Sequence, residues 1–282
     1  MKTRRRLVNR IFLSLCVVAL LAAVVPLVSI IVDVASKGIG AMNLDFFTQL
    51  PPLACTQPPC PEGGLGNAIQ GTVYVVALSS LIGLPIGLFS GVYVSEYGRA
   101  SRFGYLMRFL GDVLAGIPSI VTGVLIYTII VLTTDSFSII AGAVALGTMM
   151  IPIMSNTTAE ALKAVPNSIR EASLALGTRK WRTSLLVIAN AKKSIATGSL
   201  LAVARITGET APLILTMGIS VLWFGGFTVP VASLTYFIYY FATSPFQNWQ
   251  NLAWGAALFL MVIVLGINMG VRLVTRGKRV YA

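Results

Sequence analysis

The run Ile11-Phe-Leu-Ser-Leu-Cys16-Val-Val-Ala-Leu-Leu-Ala-Ala-Val-Val-Pro26-Leu-Val-Ser-Ile-Ile-Val32 contains no charged residue. As a helix it is long enough to cross a bilayer, which takes about 20 apolar residues at 1.5 Å rise each. A basic arm, Met1 to Arg10, precedes it. A secretory signal has a shorter apolar core, about 7–15 residues, and then a small-residue cleavage site. The run is therefore read as a retained first membrane helix. Cys16 within it is expected to act as a small packing residue.

Five further runs of this kind follow. The six predicted spans cover roughly 11–32, 69–94, 109–132, 137–158, 194–219 and 252–274. The whole chain is 56% hydrophobic and 11% charged, whereas soluble domains carry about 25% charged residues. Lipid cannot hydrogen-bond a bare backbone, so a span must be a helix or part of a closed barrel. The runs are continuous rather than alternating in ten-residue pieces, which favours helices. The predicted fold is an all-α integral membrane protein with six transmembrane helices and a cytoplasmic coupling helix. No internal repeat stands out, so one six-helix membrane domain is expected over 11–274, with a basic arm 1–10 and a tail 275–282.

The net charge of +12 invites a nucleic-acid reading, but its placement argues against one. With the N-terminus in the cytoplasm, every Lys and Arg except Lys37 and Arg205 falls in a segment on the inner side. That asymmetry is the positive-inside pattern, and it meets anionic membrane lipid rather than nucleic acid. Both termini are expected in the cytoplasm, with the protein in the plasma membrane. Histidine is absent, which removes the commonest metal ligand and general base, and the cysteine spacing does not suggest a metal site.

Residues 33–68 then form an external loop containing Cys55-Thr-Gln-Pro-Pro-Cys60. Two readings stand: a Cys55–Cys60 disulfide in an oxidising compartment, or two free thiols. The second outer stretch, 220–251, is aromatic-rich, and Val231 to Ala242 is read as a short interfacial or re-entrant helix. Small residues four apart, Gly83 with Gly87 and Gly198 with Ala202, suit close helix packing in lipid. Pro85, Pro118 and Pro152 are expected to kink or loosen their helices. Asp112 is placed to pair with Arg108.

The largest inner loop, 159–193, holds Pro166, Asn167, Arg170, Glu171, Ala172, Leu176 and Gly177. Asn167 is expected to cap a short amphipathic helix, and Gly177 to stop it in a left-handed conformation. A short helix below a membrane is either a docking element for a partner groove or a solvated connector. Within the fifth span, Arg205 and Glu209 lie one helical turn apart and are expected to share a face. They either neutralise one another or line an anion path. A charge at the bilayer centre costs at least about 2.5–3.5 kcal/mol, so each requires a partner or water.

The stretch Glu171-Ala172-Ser173, three residues, Gly177, nine residues, Val187-Ile188-Ala189-Asn190 resembles the cytoplasmic signature of bacterial ABC importer permeases. That signature reads Glu-Ala-Ala, three residues, Gly, nine residues, Ile-x-Leu-Pro; here its proline is Asn190. The chain is further similar to the PstA-type permeases of the phosphate importer. The similarity is carried by Gly71-Thr72-Val73, Leu84-Pro85-Ile86-Gly87, Glu96-Tyr97, Gly116-Ile117-Pro118-Ser119-Ile120-Val121, Ile151-Pro152-Ile153 and Ala204-Arg205-Ile206-Thr207-Gly208-Glu209-Thr210-Ala211-Pro212-Leu213. The resemblance implies the fold of type I ABC importer permeases. It also implies a complex with a PstC-like second permease, a pair of ATP-binding subunits and an exported phosphate-binding protein, with inorganic phosphate as cargo. It favours a path role for Arg205 over one for Glu209. ATP and Mg would be held by the partner ATPase, and this chain would bind no cofactor. No Gly-rich loop ending in Gly-Lys-Ser/Thr is present, so a non-catalytic subunit is expected. Rival readings are a permease for molybdate or sulfate, an ion-coupled secondary transporter, and a membrane partner of a phosphate sensor.

Overall fold

The computed structural model describes residues 2–56, 59–98 and 101–275. Arg99 and the tail cations Arg276, Lys278 and Arg279 lie outside the described residues. The first helix, α1 (Lys2–Gly38), keeps Pro26 inside it. Its apolar surface is exposed along the span, and it joins the bundle at its far end. There a Cβ on Gly38 would stand 2.7 Å from Trp254 O. Lys37, the one cation expected outside, places its Nζ 4.5 Å over the Trp254 ring, a favourable seat for a cation. Cys16 is exposed, so the expected packing role is not met within this chain.

A 3₁₀ turn, Ile39–Ala41, leads to α2 (Leu44–Thr48), capped by Asn43 Oδ1, which accepts from Phe46 N–H. The long α3 (Gly66–Val92) continues into a π turn, Tyr93–Tyr97. Next come α4 (Arg102–Gly116), α5 (Ser119–Ile126), a second π turn (Tyr127–Val131) and α6 (Leu132–Thr134). Then follow α7 (Ile139–Lys163), α8 (Asn167–Ala175), α9 (Lys180–Thr207), α10 (Ala211–Thr216), α11 (Leu234–Ala242) and α12 (Gln247–Thr275). Among the described residues five helices are individually long and apolar enough to span, and there are six spans if the bent pair formed by α4 and by α5 with α6 is taken as one.

Two spans differ from their sequence reading. The third is not one rod, because its two arms meet at 103°. Pro118 has no N–H and disfavours helical backbone at the residue before it; Ile117 is accordingly extended, at φ −74° and ψ 128°. By contrast Pro85 and Pro152 stay inside α3 and α7. The fifth span begins far earlier than residue 194, at Lys180, and stops at Thr207. Pro212 in a continued helix would clash with the carbonyl four residues back, so the chain breaks at Gly208 and restarts as α10.

The core is built where α3 lies on α7. Cβ atoms on Gly83 and Gly87 would stand 2.7 Å and 2.6 Å from the Cβ atoms of Met150 and Met154. Gly91 continues that stripe against Ser155 and Thr158. Gly198 receives Thr157, and Ala202 is fully buried, so the small residues serve close packing as expected. A second cluster at the other end gathers Phe46, Leu65, Leu234, Phe237, Phe241 and Leu252. The short helix starts at Leu234 rather than Val231, because Ser233 caps it by accepting from Tyr236 N–H. Val231 and Ala232 are buried in the segment before it, and Leu234 N–H donates to Thr72 Oγ1.

Candidate functional site

Arg205 occupies the last turn of α9 with its side chain exposed. Gly208 N–H donates to Arg205 O and Glu209 N–H to Ile206 O, which closes the helix. Glu209 therefore lies past the end, and the expected one-face pairing with Arg205 is not made. Among the described residues the one ion pair lies elsewhere. Asp112 likewise does not pair with Arg108, whose Nη2 donates to Gly98 O at 2.9 Å.

Three- and four-residue steps back from Arg205 lead to Leu201, Thr197, Ser194, Lys193 and Asn190, all exposed or half-buried. At 3.6 residues per turn these share one face of α9, so Asn190, Lys193, Ser194 and Thr197 stand on the same side of the helix as Arg205, with Leu201 between. Beside it the two interrupted elements meet: a Cβ on Gly123 of α5 would stand 2.8 Å from Pro212 Cα of α10. Irregular backbone at membrane depth is tolerated where it is buried in protein or lines a watery route.

The loop over 159–193 folds as the sequence suggested, with one change. Pro166, not Asn167, is the cap position of α8. Asn167 is already helical, and its Oδ1 accepts from Arg170 Nη1 instead of a backbone N–H. Pro166 is extended, at φ −56° and ψ 140°, and its carbonyl accepts from Ile169 N–H. Gly177 has φ +74°, the left-handed stop expected of it. Ser173, where the importer signature has alanine, shares its hydroxyl with Thr178 and Thr183 at 2.7 Å and 2.9 Å, which ties the turn to α9. Glu171, Ala172, Leu174 and Leu176 remain exposed, Leu176 at 83%.

Arg170 turns inward and meets a residue that spacing alone does not single out. Its Nη2 and Nε donate to the two carboxylate oxygens of Glu96 at 2.7 Å and 3.2 Å. The signal was present in composition. Only 9 residues in the chain are acidic, and a carboxylate at the end of an apolar span requires a partner.

At the opposite end Cys55 and Cys60 are joined by a disulfide, with Cα atoms 5.5 Å apart. The loop is held to α12: Trp249 Nε1 donates to Pro52 O and Asn248 Nδ2 to Leu53 O, each at 2.9 Å. Alkylation of denatured, unreduced protein should therefore label Cys16 alone, and all three cysteines after reduction. Mass spectrometry reads the difference, and three labels without reductant would reject the bridge.

Residues 83–280 match the family described as binding-protein-dependent transport system inner membrane component. The chain belongs to this family. Curated relatives agree over nearly the full length. The phosphate transport system permease protein PstA of Yersinia pestis is 42% identical over 98% of this chain and 92% of its own. That of Haemophilus influenzae is 41% identical over 98% and 96%. A probable PstA of the archaeon Methanocaldococcus jannaschii is 33% identical over 96% and 95%. Among solved structures, the inward-facing MetNI methionine ABC transporter superposes with TM-score 0.61 at 16% identity, over 76% of this chain and 97% of that one. An amino acid ABC transporter chain gives 0.55 at 18%, over 74% and 93%. Members of the family are multi-pass membrane components, and the fold is that of type I ABC importer permeases.

Proposed function

We propose that this chain is the permease half of an ATP-driven inorganic phosphate importer and conducts the anion along the polar face of α9. The observation that carries this reading is Arg205: a guanidinium exposed on an apolar span, without an ion pair, one turn before a helix break. Lipid would penalise that placement. A guanidinium instead presents a planar set of donors suited to two phosphate oxygens at once. Glu209, just beyond the break, limits how tightly the anion is held, because a transit site must also release.

In this reading the basic segments and α8 face the cytoplasm, with both termini there, while the disulfide loop and α11 face outward. A second, PstC-like permease completes the route. A phosphate-binding protein delivers the anion from outside. A pair of ATPase subunits, holding ATP and Mg, docks on the exposed surface of α8. The path opens outward when those subunits close on ATP and inward after hydrolysis. This chain holds the anion and moves with its partners; it has no hydrolytic role of its own.

Reconstituting the complex in vesicles tests the proposal. Phosphate should accumulate only with ATP on the side of the ATPase subunits, with little molybdate or sulfate following. Uptake driven by an ion gradient without ATP would favour a secondary transporter. Accumulation of molybdate or sulfate in preference to phosphate would reassign the cargo.

A further inference from the structure

The Glu96–Arg170 pair is the one ion pair among the described residues, and its side chains are 7% and 12% exposed respectively. The partners come from distant parts of the chain. Glu96 sits in the π turn that ends α3, and Arg170 sits in α8. Both carboxylate oxygens are engaged. The guanidinium also donates to Leu162 O at 2.7 Å and to Val165 O at 2.8 Å, at the close of α7. A single side chain thus holds α8, α3 and α7 together.

The same π turn is a junction for the other elements that reach it. Tyr97 accepts from Ser184 of α9 at 3.2 Å, and Lys180 Nζ lies 5.0 Å over the Tyr97 ring. Gly98 O accepts from Arg108 of α4. A π turn is wider and less regular than an α turn, and is often found at functional positions. Packing does not fix α8 in place: none of its residues is buried, and only Ile169 leans on the cluster of Leu162, Val165, Val187 and Ala191. Its position relative to α3 is therefore set by charge and directed hydrogen bonds, which hold an angle better than apolar contact does.

We propose that the Glu96–Arg170 pair is the rigid link through which movement of α8 is delivered to α3, and from α3 through its glycine stripe to α7. Arg170 is a positioning residue in this scheme, since it touches neither cargo nor nucleotide. The proposal rests on the reading of α8 as the element that docks the ATPase. Without the link, the ATPase still docks and turns over, but α3 no longer follows.

The test uses the intact complex in vesicles, with Glu96→Gln, Arg170→Gln, the double variant and Glu96→Asp. Both single neutral variants should hydrolyse ATP within about twofold of the native rate, yet accumulate about tenfold less phosphate per ATP, because an uncompensated buried partner no longer holds its geometry. The double variant should fall no further than the worse single, as expected for two groups acting as one unit. Glu96→Asp keeps the charge and should give an intermediate ratio; it serves as the deciding variant if a neutral one does not assemble. Amide exchange across 167–175 should quicken by about tenfold in Glu96→Gln while α7 keeps its protection. A native phosphate-per-ATP ratio in either neutral variant, or in Glu96→Asp where that variant decides, would overturn the link. So would single effects that multiply, or unchanged exchange at α8. If the native complex itself accumulates no phosphate, the transport reading fails, and the exchange measurement, which needs no cargo, still decides the link.

Discussion

Arg205→Gln is expected to reduce ATP-driven phosphate uptake by about a hundredfold or more while the complex still assembles. Glutamine stays polar but is shorter, and it lacks the charge and the guanidinium's fork of donors. Hydrogen bonds to a charged group contribute about 1.5–3 kcal/mol each, so two lost together cost about 3–6 kcal/mol, more than the roughly 2.8 kcal/mol of a hundredfold change at about 1.4 kcal/mol per decade. Assembly should survive because the Arg205 side chain is exposed and makes no ion pair among the described residues. Arg205→Lys should retain an intermediate rate, since a point charge attracts the anion but cannot bind it bidentately. The check is initial uptake at low external phosphate, normalised to the ATPase that co-purifies. Native uptake by the glutamine variant would remove the α9 face from the path.

The second large effect is structural. Gly87→Leu should destabilise the bundle, because even a Cβ there would stand 2.6 Å from Met154 Cβ and 2.8 Å from Ile151 O. The second obstacle is backbone and cannot turn aside, so α3 and α7 must separate along their main contact. Overpacking of this kind costs about 1–3 kcal/mol, with a midpoint shift of about 2–4 °C per kcal/mol for a chain of this size. Gly111→Ala is the matched control: nothing lies within 4 Å of its Cβ position. Within a helix alanine is favoured over glycine by about 0.5–1 kcal/mol. Thermal unfolding of the purified complex, followed by loss of soluble assembly, should separate the two in opposite directions. Equal midpoints would show that the glycine stripe does not govern the α3–α7 contact.

Much of this was legible in the chain itself. Continuous apolar runs fixed the number and class of spans, because the length needed to cross hydrocarbon is a physical constant of the bilayer. Gly177 announced a left-handed stop. Gly83 and Gly87 announced a close approach. The cap of α8 was read one residue late, because asparagine and proline both start helices and only the backbone shows which one does. The reach of α9 was misjudged for a related reason. Lys192 and Lys193 lower the local hydropathy, so a span defined by apolarity begins after them, although the helix runs through unbroken from Lys180.

The pairing of charges was the part that local spacing could not settle. Arg205 and Glu209 are four apart, which on a continuous helix means one face, but Gly208 and Pro212 end the helix between them. Arg108 and Asp112 share a continuous helix and still do not pair, because Gly98 O takes the guanidinium first. Glu96 and Arg170 are 74 residues apart, and no periodicity relates them. The sequence by itself determined what is local: which runs enter lipid, which residues stop a helix, and which family signature lies in the inner loop. The tertiary structure decided which charges meet, since electrostatic partners are chosen by distance in space, and that distance exists only once α3, α7, α8 and α9 have packed.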